Sequence, residues 1–541
     1  MRSIQDVAGD LGWGSSDLEP FGHDRAKVSL EAIQGKSAKG KLILVSAITP
    51  TPAGEGKTTT AISLAQGMKA QGHSVALALR EPSMGPVFGR KGGATGGGKA
   101  SLSPSDSINL LFNGDFPAIT AAHNLIAAAM DNALHFRQTT LDPARVLWKR
   151  VMDMNDRALR SITVGLQGQG VARESGFDIT AASEVMAILC LAEGMEDLRE
   201  RLDRILLGFR SDWSPVFAEE LGITGALAAI LRDALKPNLV QSLEGVPALV
   251  HGGPFANIAH GCNSVLATRA ALSGADYAVT EAGFAFDLGG EKFFHIKCRG
   301  AGLDPAAVVL VATVRALKMH GGQTLDRLSE PSPPSVEKGL ENLAAHLDAA
   351  AKFGKPLLVA INRFPNDTAE EVQVIQEFCA GRGVRCGESF GFGEGGPGAA
   401  DLADLVVEVA EEESPAWTPL YAEDADPRRK IESIAKQVYG ADGVSFTSKA
   451  ERKLRRIAKL GLEGLPICMA KTQNSLSDDG AQLGRPSGFS ITVRDLEIAR
   501  GAGFLVALTG DLLRMPALPK VPAAKGVEVD EYGEITGLMS G

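Results

Sequence analysis

The sequence predicts an α/β protein: a mostly parallel sheet core with smaller α/β domains appended. Three observations carry that expectation. Short aliphatic runs recur at 41–48, 75–79, 247–250, 277–280, 308–311 and 357–361, with helical stretches between them. The runs alternate little between polar and apolar residues, as strands covered on both faces do. Glycine is abundant, at 62 of 541 residues, in a chain that is otherwise well mixed, which suits many tight turns and close backbone approaches to ligands.

Taken in order, the first 40 residues read as helical and polar, with a turn near Leu18-Glu19-Pro20. A strand over 41–48 follows, then a glycine-rich turn, a helix over 57–70 closed by Gly72, and a strand over 75–79. This is a βαβ unit with a loop after its first strand. The remaining strands repeat the rhythm and extend a parallel sheet. Ser329-Glu330-Pro331-Ser332-Pro333-Pro334 reads as a linker, and residues 411–419 as a second break. These divide the chain into expected domains 1–335, 336–415 and 416–541.

Composition excludes several classes. The net charge of −10 argues against a nucleic-acid binder, which needs excess Lys and Arg for phosphates. No run approaches the roughly 18 apolar residues of a membrane-spanning helix, and Met1-Arg2-Ser3-Ile4-Gln5-Asp6-Val7 has no signal-peptide core. Six cysteines form no CxxC pair, against a disulfide scaffold or zinc ribbon. The expectation is a cytoplasmic protein with reduced thiols.

The loop after the first strand reads Thr51-Pro52-Ala53-Gly54-Glu55-Gly56-Lys57-Thr58. Its Gly-Lys-Thr end matches the second half of a Walker A loop. Backbone N–H groups there surround phosphate oxygens, a lysine ammonium neutralises them, and the helix N-terminus adds its dipole. Thr58 would offer a hydroxyl to Mg²⁺. Thr51 stands where the strict motif has glycine, so Gly54 would supply the flexibility. The expected core is therefore P-loop NTPase-like. Arg80 follows the next strand, at the sheet edge where ligands bind in open α/β folds. Its guanidinium would grip a carboxylate or a transferring phosphoryl group, although pairing with Glu81 is an alternative. The glycines between Gly85 and Gly98 suggest a segment that wraps a ligand or gates the site.

The segments 51–58 and Arg80-Glu81-Pro82-Ser83-Met84-Gly85-Pro86-Val87-Phe88-Gly89 together resemble formate–tetrahydrofolate ligases. The resemblance spans the chain, through 252–261, Thr280-Glu281-Ala282-Gly283-Phe284, Gly290-Glu291-Lys292-Phe293, Ala360-Ile361-Asn362-Arg363-Phe364-Pro365, Met469-Ala470-Lys471-Thr472-Gln473 and 518–524. It implies ATP-dependent joining of formate to tetrahydrofolate through formyl phosphate. By that likeness Lys57 and Arg80 are the catalytic residues and residues 51–58 hold ATP with Mg²⁺. Phe284, preferred over Phe286, lies beside adenine. Phe364, Pro365 and Phe392 wall the folate, placing that pocket in 336–415, and Phe392 stands where the family usually has Trp. The likeness also implies a homotetramer and activation by a monovalent cation such as potassium or ammonium.

Other groups draw weaker expectations. His123, His251, His260, His295 and His320 have no metal-ligand spacing and read as hydrogen-bonded structural or pocket histidines. Asp106, Asp115 and Asp131 are candidates for Mg²⁺, with no choice among them. Residues 449–459 form a basic helix, read as a solvated face or an electrostatic aid to polyglutamate tails of folate.

Overall fold

A computed structural model describes residues 1–52, 54–89, 95–510 and 512–538. Its largest element is a twelve-stranded sheet. The central strands are β1 (Lys41–Ala47), β2 (Val75–Leu79), β3 (Asn238–Ser242), β4 (Pro247–Val250), β5 (Tyr277–Glu281), β6 (Pro305–Ala312), β7 (Leu357–Asn362) and β8 (Arg385–Ser389). Their order is β3-β4-β2-β5-β1-β6-β7-β8, and every pairing from β4 to β8 is parallel. Leu42 to Ala47 are buried throughout, which explains the missing alternation.

One edge departs from the parallel expectation. β3 runs antiparallel to β4, and Ala26–Val28 and Leu18–Pro20 continue the sheet in antiparallel fashion. Leu18-Glu19-Pro20 is thus a short edge strand rather than a turn between helices. Pro20 fits there because an edge strand leaves backbone donors unpaired. At the opposite edge, β7 and β8 add residues 357–389 to the same sheet.

Helices cover both faces. They include α1 (Lys57–Ala70), α2 (Asp115–His135), α3 (Glu184–Leu191), α4 (Val314–His320), α5 (Pro333–Ala351), α6 (Ala400–Glu411) and α7 (Ser448–Lys459). Every residue of α1 from Thr59 to Met68 is buried. It lies between the sheet and α6 so closely that a Cβ on Gly67 would meet the Ala399 carbonyl at 2.9 Å. The linker-like 329–334 stretch ends in the first turn of α5, where Pro333 and Pro334 need no N–H partners.

A four-stranded sheet sits C-terminal to this core. It comprises β9 (Gly443–Phe446), β10 (Ile467–Ala470), β11 (Ser490–Ala499) and β12 (Phe504–Thr509), in the order β9-β11-β12-β10. Helix α7 packs on β11. Among the described residues, no helix is long and apolar enough to cross a membrane.

Candidate active site

The parallel strands deliver their C-terminal ends to one edge, and the chain reverses direction of travel around β1. In open α/β sheets such a switch point is where ligands bind. Arg80 follows β2, Glu281 ends β5, the 48–56 loop follows β1, Thr313 follows β6, Asn362 ends β7 and Ser389 ends β8. The site is a row of strand ends.

The loop turns on two glycines in the left-handed region, Gly54 at φ 81° and Gly56 at φ 66°. Gly56 caps α1. A side chain there would collide with the Asn362 amide, which donates to the Glu55 carbonyl at 3.0 Å. Thr51 fills the place of the motif's first glycine without strain, because the turn is made later. Its N–H donates to Glu55 Oε1 at 2.6 Å. The other Glu55 oxygen accepts from Thr313, and Arg315 donates to the Gly54 carbonyl. Pro52 is exposed. Ala53 lies outside the described residues.

Lys57, Thr58 and Arg80 converge on one carboxylate. Lys57 Nζ is 3.4 Å from Glu281 Oε2, and the Thr58 hydroxyl donates to the same oxygen at 2.8 Å. Arg80 is 3.8 Å from Glu281 Oε1 and donates to the Pro254 carbonyl at 3.2 Å. Arg80 Nε is buried and unpartnered. Burial pushes the Lys57 ammonium below the usual lysine range, against the pull of Glu281 and with the push of Arg80. Burial would raise Glu281, but the two cations outweigh it and hold its carboxyl below the usual range. Arg80 does not take Glu81 as its partner. Glu81 is buried and pushed well up by desolvation and then by Asp115.

Glu281 is the residue whose role sequence reasoning missed. It stood inside a quoted motif with no function assigned. Its signal was positional: it ends a strand adjacent to β1, paired with Val45.

The aromatic candidates follow the ends of β5, β7 and β8. Phe284 is half-buried with a positive φ of 56°, one residue after Gly283, where a Cβ would come within 2.8 Å of Arg80. Phe286 is fully buried, 5.7 Å from Phe353 and 6.3 Å from Phe294 between ring centres, so it faces the core. Phe364 lies under the Arg315 guanidinium at 4.0 Å, and Pro365 is exposed. Phe392 is 41% exposed. Its carbonyl accepts from Lys99 N–H at 3.0 Å, and a Cβ on Gly97 would meet its ring at 3.0 Å. The 85–98 segment thus ends against Phe392, while its residues 90–94 lie outside the described set.

A second network holds the start of the loop. His320 Nε2 donates to the Thr49 carbonyl at 2.9 Å, and its Nδ1 accepts from Gly484 N–H at 3.1 Å. These partners fix a neutral ring, and burial lowers its pKa. The Thr49 hydroxyl accepts from Asn342 at 3.1 Å and lies 2.9 Å from His346 Nε2. Burial pushes His346 down to about 4.

The other sequence candidates are engaged elsewhere. Asp115 pairs with Lys27, and Asp131 pairs with Arg150 at 2.7 Å and Arg173 at 2.6 Å. Asp106 is exposed on a short helix. Among the described residues, no group of three or more His, Cys, Asp or Glu side chains is placed to hold a metal. His123, His251, His295 and His320 are hydrogen-bonded as expected. His260 departs: it is fully buried with neither ring nitrogen partnered. Burial, then Lys297 and Lys292, push its pKa down to about 3.

The family model described as formate–tetrahydrofolate ligase matches residues 1–539. A curated relative from Myxococcus xanthus (strain DK1622), described as formate–tetrahydrofolate ligase, is 52% identical over 548 residues, covering 100% of each chain. The chain belongs to the formate–tetrahydrofolate ligase family, whose members are ligases.

Proposed function

We propose that the chain ligates formate to tetrahydrofolate at the expense of ATP, through formyl phosphate, at the row of strand ends around Lys57. The observation that carries this reading is the convergence of Lys57, Thr58 and Arg80 on Glu281. Two cations and a hydroxyl held against one carboxylate form a site ready to exchange that carboxylate for phosphoryl and formate oxygens.

In this reading the core is P-loop NTPase-like. Residues Thr51, Pro52, Ala53, Gly54, Glu55, Gly56, Lys57 and Thr58 cradle the phosphates, and Phe284 lies beside adenine. The Thr58 hydroxyl and Glu281 carboxylate, 2.8 Å apart, are hard oxygen donors suited to Mg²⁺. When bound, Mg²⁺ would neutralise phosphate charge.

A formate oxygen attacks the γ-phosphorus, the bond to the β-phosphate oxygen breaks, and ADP leaves. Formate is already an anion at neutral pH, so no protein base is required. Arg80 orients formate and then balances the charge on formyl phosphate, while Lys57 neutralises the transferring group. N10 of the folate attacks the formyl carbon, phosphate departs with the bonding electrons, and the N10 proton passes to phosphate or water. Phe364, Pro365 and Phe392 wall the pterin, with Phe392 giving a stacking face but no indole N–H donor.

Domains 1–335, 336–415 and 416–541, a cytoplasmic location, a homotetramer and a potassium or ammonium activator belong to the same proposal. The test is ADP release measured with and without formate and tetrahydrofolate. Release that depends on both supports the reading; release independent of either overturns it.

A further inference from the structure

We propose that Arg315 is a positioning residue that couples nucleotide and pterin binding, fixing the phosphate loop and the Phe364 ring with one guanidinium. The inference rests on the reading above, in which residues 51–58 hold the nucleotide and Phe364 walls the pterin.

The phosphate loop sets the demand. A loop that aims backbone N–H groups at phosphate oxygens turns its carbonyls away, and each carbonyl then needs a donor elsewhere. The Thr51 carbonyl accepts from Gly54 N–H at 3.0 Å, and the Glu55 carbonyl accepts from Asn362 Nδ2 at 3.0 Å. Gly54 is the left-handed turning point, at φ 81°, and its carbonyl accepts from Arg315 Nη2. Without that donor the turn loses its outer tie.

Helix α4 puts Arg315 in register with the loop. Thr313 caps the helix, its hydroxyl accepting from Ala316 N–H at 3.1 Å and donating to the Glu55 carboxylate. Arg315 follows two residues later. Its Nε is buried and unpartnered, so the group is not a freely solvated charge. The guanidinium carbon lies 4.0 Å from the centre of the Phe364 ring. A guanidinium can donate in its plane and lay its face on a ring at the same time, which an ammonium cannot.

The backbone of Phe364 is fixed separately. Its N–H donates to Asp367 Oδ2 at 2.8 Å, and it stands two residues beyond Asn362, the last of β7. The ring is partly exposed and is backed by Arg315. A nucleotide that settles the Gly54 turn therefore settles Arg315 and the ring, and a pterin that settles the ring settles the turn. Coupling of this kind is reciprocal in binding.

The test is a double-mutant cycle in the full chain, read by calorimetry. Two probes are titrated separately: the β,γ-imido analogue of ATP with Mg²⁺, and tetrahydrofolate. Arg315→Lys keeps the charge and a donor but not the plane, and should weaken both probes about fivefold. Phe364→Leu alters no nucleotide contact in this reading, yet should weaken the ATP analogue about threefold. The double variant should bind the ATP analogue no more weakly than Arg315→Lys alone, a non-additivity that general loosening would not produce. Arg315→Gln, run through the same cycle, stands in if thermal melts show the lysine variant to be poorly folded. Arg315 variants that weaken one probe alone, an unchanged ATP-analogue affinity in Phe364→Leu, or additive losses in the double variant would each overturn the proposal. A wild-type chain that binds neither probe would overturn the underlying reading and the proposal with it.

Discussion

One flank of the loop between β1 and α1 is held by charge, and the other by neutral hydrogen bonds. On the β5 side, Lys57, Arg80 and Glu281 balance one another at 3.4 and 3.8 Å. On the α5 side, Thr49 is fixed by Asn342, His346 and His320, rings kept neutral by burial. The difference separates two tasks. Ion pairs of this kind can be exchanged for a charged substrate, because the cations keep a counter-charge throughout. Neutral buried bonds have no such substitute, so they suit the flank that must stay still.

The largest effect expected from breaking this contrast is at Arg80. Arg80→Ala should lower kcat by about 10²–10³ or more, as loss of a preorganised charge stabiliser does, while ATP affinity by calorimetry changes only a few-fold. Turnover near the wild-type rate would remove Arg80 from the chemistry. Next comes Glu281→Gln, which preserves an oxygen for Thr58 but removes the charge that opposes burial at Lys57. Its kcat should fall by about tenfold to a hundredfold, and the alkaline limb of the pH–rate profile should move to lower pH. The sign follows from Lys57: with its pKa lowered further, it loses its proton earlier as pH rises. An unshifted limb would mean that Glu281 does not support Lys57.

The smallest effect belongs to the neutral flank. Burial pushes the His346 imidazole down from an ordinary 6.5 to about 4, so its contribution to stability is present above about pH 6.5 and is lost as pH falls toward 4. The full contribution is about 3 kcal/mol. His346→Gln should retain near-normal kcat at neutral pH, and its stability by thermal melts should decline less than wild type across that window. A parallel decline in both proteins would show that His346 does not carry the acid sensitivity.

Much of this was legible in the residues because the signals were local. Continuous apolar runs marked β1, β2, β4, β5, β6 and β7, and Gly56-Lys57-Thr58 marked the start of α1. The antiparallel edge was not legible, since three-residue strands such as Leu18–Pro20 take their state from the neighbour they pair with, not from propensity. At the site, Lys57 and Arg80 announced themselves beside glycines and strand ends. Glu281, Asn362 and Arg315 did not, because their partners lie 223, 307 and 261 residues away in sequence. The Thr49 network was hidden for the same reason.

The continuous hydrogen bonding from β1 through β6 and β7 to β8 has a metric consequence. Neighbouring strands stand about 4.8 Å apart, so the ends of β1 and β8 are set roughly 14 Å apart laterally by three strand steps, and the Phe392 segment folds back across that gap onto α1, where a Cβ on Gly97 would meet the Phe392 ring at 3.0 Å and the Thr59 hydroxyl at 3.6 Å. No hinge can alter that interval without tearing a ladder of backbone bonds. Any adjustment between the 48–56 loop and the Phe392 segment must then come from segments outside the sheet, the strand ends themselves being as fixed as the repeat of the β-lattice.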